Sequence, residues 1–197
     1  MATPRREHLL NTALRLFNQY GFHATGIDKV QAESGVSKTT LYKYFKSKDE
    51  LIKAVLELRH EQFGQWFQSR VNEIANSDYL DIPDAHLQAV FDTLTEWFHS
   101  NTFFGCNFIN ATAEYSDTEH PIHLYSAEHK LGLSRFIQSL LQDVPESERE
   151  ELSLEILLLI EGAIVCAHTS GLKESAERAK RMMGFMVASH RVTKVTL

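Results

Sequence analysis

The run Gly35-Val36-Ser37-Lys38-Thr39-Thr40-Leu41-Tyr42-Lys43-Tyr44-Phe45-Lys46-Ser47-Lys48-Asp49-Glu50-Leu51 constrains the fold more tightly than any other part of this 197-residue chain. Glycine tolerates left-handed backbone angles, so Gly35 is suited to end one short helix and reverse the chain. Ser37 is a good N-cap for the next helix, because its hydroxyl can accept one of the orphan amides of a first turn. Val30, Val36, Leu41 and Phe45 supply the apolar contacts that fix the crossing of two short helices. The outer face of the second helix is left with Lys38, Thr39, Thr40, Tyr42, Lys43 and Tyr44. These side chains can reach phosphates and base edges, and the pattern is that of a helix-turn-helix presenting a recognition helix to DNA. An ordinary helical hairpin with surface lysines is the bland alternative. Tyr42 and Tyr44 cannot both be core aromatics, because positions i and i+2 do not share a helix face.

Periodicity elsewhere is helical and no strand pattern stands out, so the chain reads as all-α with about nine helices. Thr3-Pro4 fits an N-cap followed by proline at the first helical position. Leu9, Ala13, Leu16, Phe17 and Tyr20 then share one face, and Gly21 stops that helix. Thr25, with Asp28 three residues on, opens a second helix that runs to Ser34. Ser47 and Glu50 form a capping box at the start of a fourth, in which each satisfies the other's backbone amide. Leu51, Val55, Leu58, Phe63, Phe67 and Ile74 carry this helix to about Ala75. Residues 76–84 are polar and contain Pro83, a connection. Further helices are expected at 84–100, 105–115, 118–142, 147–169 and 173–191, punctuated by Gly105, Ser116, Asp117, Pro145 and Gly171. The division expected is a helix-turn-helix domain over 1–46 and a helical ligand-binding and dimerisation domain over 47–197.

Charge separates along the same line. The whole chain carries −6, which argues against a polyanionic partner. Residues 1–50, however, hold eight basic against five acidic side chains, a net of +3, which leaves −9 for the remainder. A basic head on an acidic body suits DNA contact at one end only. Cys106 and Cys166 are too few for a disulfide framework or a CxxC metal site, so a reducing cytoplasm is the expected location. Arg5 and Arg6 are followed by no apolar run of the kind a signal peptide carries. The longest apolar stretch, 156–167, is interrupted by Glu161 and falls short of the ~20 residues a membrane span needs, so no membrane association is expected. There is no glycine-rich phosphate loop, GxSxG elbow or HExxH, and no enzymatic activity is expected.

The run from Gly35 to Leu51 resembles the signature of the TetR family of transcriptional regulators. Tyr20-Gly21-Phe22-His23-Ala24-Thr25 and Ile27 match upstream, and the resemblance covers about the first fifty residues. Gln31 departs from the pattern, since helix-turn-helix units usually place a small residue there. The resemblance implies that Thr25 and Tyr42 contact phosphate. It further implies that Thr40 and Tyr44 face the major groove, and that Lys48 grips a phosphate at the amino end of the fourth helix. Lys38, Thr39 and Lys43 fall at variable positions and are expected to set operator sequence. The resemblance also implies repression of a promoter, relieved when a small molecule in the body moves the fourth helix.

One helix-turn-helix of this size rarely binds tightly alone. Two heads ~34–36 Å apart on successive major-groove faces are the usual solution, so a two-fold homodimer on a double-stranded operator is expected. Leu154, Leu157, Leu158 and Val165 of the eighth helix, with Ala179, Met182, Met183 and Met186 of the ninth, are the candidate dimer face. The middle helices are rich in aromatics with interleaved polar groups such as Asn107, Glu114 and His123, as small-molecule recognition requires. Trp97, Phe104, Phe108, Asn110 and His168 are the candidate pocket residues, and the effector is expected to be apolar or aromatic. No cofactor is expected. His120, His123 and His129, with Cys106 or Glu114, could approach a metal ion, but surface histidines near a helix start are the default and no metal site is assigned. A DNA-binding protein that senses nothing, a metal-sensing regulator and a helical enzyme remain the alternatives.

Overall fold

The computed structural model describes residues 4–80 and 82–192. Thr3, expected as an N-cap, lies outside them. The described residues form nine α-helices and no strand: α1 Pro4–Tyr20, α2 Ile27–Ser34, α3 Lys38–Tyr44, α4 Lys48–Asp78, α5 Ala85–His99, α6 Asn107–Glu114, α7 Pro121–Leu140, α8 Glu146–Thr169 and α9 Ser175–Val192. The all-helical fold expected from periodicity is the fold observed. Two compact units emerge. One comprises residues 1–64 and 106–129, the other residues 65–105 and 130–197. Helix α6 and the first half of α7 therefore group with α1–α3.

In the first unit α1 packs on α2 and α2 on α3, and Leu9, Leu10, Ala13, Leu16 and Phe17 of α1, Val30 of α2, Leu41 of α3 and Leu51, Ile52, Val55 and Leu56 of α4 are all buried. Burying a side chain of this size contributes roughly 1.5–3 kcal/mol, so this core is what holds the short α2 and α3 in place. Tyr20, expected on the same face, is instead 47% exposed, with the Lys29 ammonium 3.3 Å from its ring centroid. Gly35 adopts φ 63°, the left-handed conformation that the turn requires. Two capping details differ from expectation. The N-cap of α2 is Gly26, which makes no side-chain cap bond, because Thr25 is buried and turned toward α1. At α4, Ser47 Oγ accepts the Glu50 amide at 3.1 Å, but the Glu50 carboxylate reaches one residue further back, to the Lys46 amide at 2.7 Å.

In the second unit, α8 and α9 pack together and both lie against α5. Leu87, Val90, Phe91, Leu94 and Phe98 of α5 meet Leu152, Ile156 and Ile160 of α8 and Met183 and Val187 of α9, all buried. By length and composition α8 could cross a bilayer. Its inner face fills this core instead, and Glu161 is paired with Lys130 at 2.8 Å. Lys180 of α9 donates to both Asp92 and the Tyr79 hydroxyl, at 2.6 and 2.5 Å, clamping the end of the α4–α5 connection.

Candidate nucleic-acid interface

Helix α3 is a single solvent-facing element fixed from beneath. Leu41 is fully buried, Phe45 is buried immediately after the helix, and Ser37 Oγ caps the Thr40 amide at 3.2 Å. With that face anchored, Lys38, Thr39, Tyr42 and Lys43 are exposed, while Thr40 and Tyr44 are half-buried. Tyr42 is 45% exposed, and the two tyrosines accordingly differ in burial, as their i, i+2 spacing requires. The turn is held by Ser34, whose hydroxyl accepts the Val36 amide at 3.3 Å, and by the buried Val36. Gln31 is half-buried, so its longer side chain is accommodated beside the turn without opening it. On the α2 side, Lys38 donates to Asp28 at 2.8 Å, and that hydrogen bond holds its ammonium above the ordinary lysine range.

Two predicted contact residues sit differently from the rest. Thr25 is fully buried and its hydroxyl donates to the Leu16 carbonyl at 3.4 Å. A side chain facing the core cannot reach a phosphate from there, so the role expected for it is corrected to one of packing α1 against the approach to α2. Lys48 reaches inward and donates to the His23 carbonyl at 3.2 Å. Burial lowers its ammonium from the usual range, partly offset by Glu114 and Asp49.

These contacts belong to a junction that sequence reasoning missed. The Glu114 carboxylate, at the end of α6, accepts the backbone amides of Phe22 at 2.9 Å and His23 at 2.5 Å. Tyr115, next in the chain, donates to Asp49 in the first turn of α4 at 3.1 Å, and its ring lies between those of His23 and His120. Burial, then Asp49, pushes the Tyr115 phenol up. His120 approaches Asp49 at 3.6 Å, and His123 bonds the Tyr115 carbonyl at 2.7 Å. His129 pairs with His60, Nδ1 to Nδ1 at 2.8 Å, and stacks on Phe108. The three histidines weighed as metal ligands thus have separate partners, and among the described residues no group of three metal-ligating side chains converges. The signal for Glu114 was not local: its partners are backbone amides some ninety residues away.

The remaining predicted residues divide between the units. Phe108 is buried and Asn110 half-buried in the first. Trp97 is buried in the second, edge-on to Phe103 at 5.0 Å, and Phe104 is half-buried there. His168 is exposed. Its ring lies so close over Gly105 that a Cβ on that residue would stand 2.5 Å from Nδ1. On α8 and α9, Leu154, Leu158, Val165 and Met182 are exposed at 47, 73, 41 and 53%. Leu157 and Met186 are half-buried. Met183 and Ala179 are buried, which corrects their assignment to a dimer face: they fill the inner side of α9. Phe185, 77% exposed and three residues beyond Met182, was missed; its i+3 spacing was the available signal.

Comparison with known proteins agrees with this geometry. Residues 9–55 match the model of the bacterial regulatory proteins, tetR family. The chain is 24% identical over 160 residues to the HTH-type transcriptional regulator YjdC of Escherichia coli, with 81% of each chain covered. It is 31% identical over 112 residues to the HTH-type transcriptional repressor NemR of Escherichia coli, covering 57% of this chain and 54% of that one. A solved TetR-family transcriptional regulator from Streptomyces coelicolor aligns with a TM-score of 0.81 at 29% identity, over 95% of this chain and 90% of its own.

Proposed function

The chain belongs to the TetR family of bacterial regulatory proteins, and from that premise we propose that it is a cytoplasmic, homodimeric repressor released from its operator by a small molecule. The observation that carries the reading is α3: a helix buried at Leu41 that holds Thr39, Tyr42 and Lys43 exposed on the net-basic part of the chain. In this reading Tyr42 and Lys48 contact phosphates, Thr40 and Tyr44 approach base edges, and Lys38, Thr39 and Lys43 select sequence. Residues 1–46 bind DNA and residues 47–197 dimerise and sense the effector. Two chains associate through Leu154, Leu158, Val165, Met182 and Phe185, an apolar set that a monomer would leave in water. The effector in this reading is an apolar or aromatic small molecule.

The test has two arms. Selection of duplexes from a random pool, followed by anisotropy at several salt concentrations, should yield an inverted repeat bound with steep salt dependence. Native mass spectrometry of the purified dimer should detect a co-purifying small molecule whose removal changes operator affinity. Failure to select any sequence would overturn the regulator reading. A dimer that binds its operator but carries no small molecule would leave a constitutive DNA-binding protein.

A further inference from the structure

We propose that Glu114 is the positioning residue through which α6 sets the DNA-binding helices, its carboxylate being the fixed anion on which the α1–α2 turn is seated. The proposal rests on the DNA-binding reading above. Three features of the turn fit it to this role. Gly21 has φ 84°, a left-handed conformation that lets the next two amides point the same way. Those amides, Phe22 and His23, each donate to a different oxygen of the one carboxylate, at 2.9 and 2.5 Å. A side chain at position 21 would crowd it, since a Cβ there would stand 3.0 Å from Glu114 Oε1. The turn is thus a built receptor for an anion, and the anion is supplied by another helix.

The same end of α6 holds the head at a second point. Tyr115 bonds Asp49 in the first turn of α4, and Lys48 closes the far side of the turn through the His23 carbonyl. The His23 ring also faces the carboxylate, Nδ1 to Oε2 at 3.5 Å. The turn seated on Glu114 leads directly into α2, and the first turn of α4 follows directly from α3. These are the two ends between which α2 and α3 are held. Hydrogen bonds weaken steeply with distance and angle, and two of them hold the one carboxylate, so a displacement of the end of α6 draws the turn with it. Whatever shifts α6 is passed to α2 and α3 by this route.

The sign of one measurement separates positioning from charge. Removing a carboxylate near a DNA-binding surface strengthens DNA binding if charge alone matters. Loss of a positioning contact weakens it. The full-length dimer carrying Glu114→Gln or Glu114→Ala should therefore bind the selected operator more weakly, by several-fold for Gln and at least tenfold for Ala. The salt slope should stay unchanged, because no phosphate contact is lost. Hydrogen exchange at the Phe22 and His23 amides should quicken by a similar factor while the α5 core amides keep their protection. Tighter or equal binding by the isosteric Gln variant, or unchanged exchange at these two amides, overturns the proposal. If Ala unfolds the chain, Gln decides alone. Tyr115→Phe, which removes only the Asp49 bond, should weaken binding in the same direction. Failure of the wild type to select any DNA would instead strike the regulator reading.

Discussion

Leu158→Arg is expected to convert the protein to monomers. Leu158 stands on the outer face of α8 with 73% of its surface in water, Leu154 lies one turn earlier on the same helix, and Met182 and Phe185 are exposed on α9. Fully burying a leucine is worth roughly 1.5–3 kcal/mol. In a two-fold interface the residue is buried twice, so its loss removes about 2–4 kcal/mol after allowing for the part already covered. Two arginines brought together at the same axis add repulsion and desolvation. With every 1.4 kcal/mol worth about tenfold, the dimer dissociation constant should rise at least a hundredfold. Sedimentation equilibrium across a wide concentration range reads this directly. Because one head alone binds DNA weakly, operator affinity should fall with the dimer. A Leu158→Arg protein that sediments as wild type would refute the reasoning and place the interface elsewhere.

Other outcomes can be checked on the same preparations. Asp28→Ala takes away the partner of the 2.8 Å Lys38 bond together with a carboxylate, so operator binding should tighten, as anisotropy would read. Lys48→Ala should weaken binding evenly across sequences and flatten the slope by about one, whereas Lys43→Ala should change the preferred sequence; anisotropy on a panel of duplexes distinguishes them. Thr25→Ala should cost about 1–2 kcal/mol in urea unfolding through lost packing while leaving the salt slope of DNA binding untouched; a flattened slope would restore its phosphate contact.

The legible parts of this chain were those decided within a few residues. Gly35 and Ser37 set the turn and cap from their own backbone and hydroxyl chemistry, and both take the conformation their neighbours in sequence demand. Leu41 stood out as one of the apolar residues that fix the crossing of two short helices, and it is fully buried. The misreadings involve partners distant in sequence. Thr25 looks like a cap, but packing against α1 turns it inward, and Gly26 takes the N-cap position. Met183 looks like one more exposed methionine beside Met182, yet α5 covers the side of α9 that it occupies. Helix α8 is apolar almost all round beyond its first turns, so its sequence could not say which side its own core would take. Glu114 was visible as a polar residue among aromatics and as a possible metal partner, and not in the role it takes, because backbone amides leave no mark in a sequence.

The unit that contains the DNA-binding helices is discontinuous in the chain: its second part, residues 106–129, begins 42 residues after its first part ends. During synthesis the first 64 residues leave the ribosome with the Phe22 and His23 amides unpaired. The carboxylate that accepts them follows 92 and 91 residues behind. At ordinary elongation rates that gap lasts on the order of ten seconds, far longer than the helices themselves take to form. Until α6 arrives, the α1–α2 turn lacks the anion on which it is seated. An excised fragment ending at Gly64 would remain in that unfinished state, and DNA-binding measurements on it would describe that state rather than the protein.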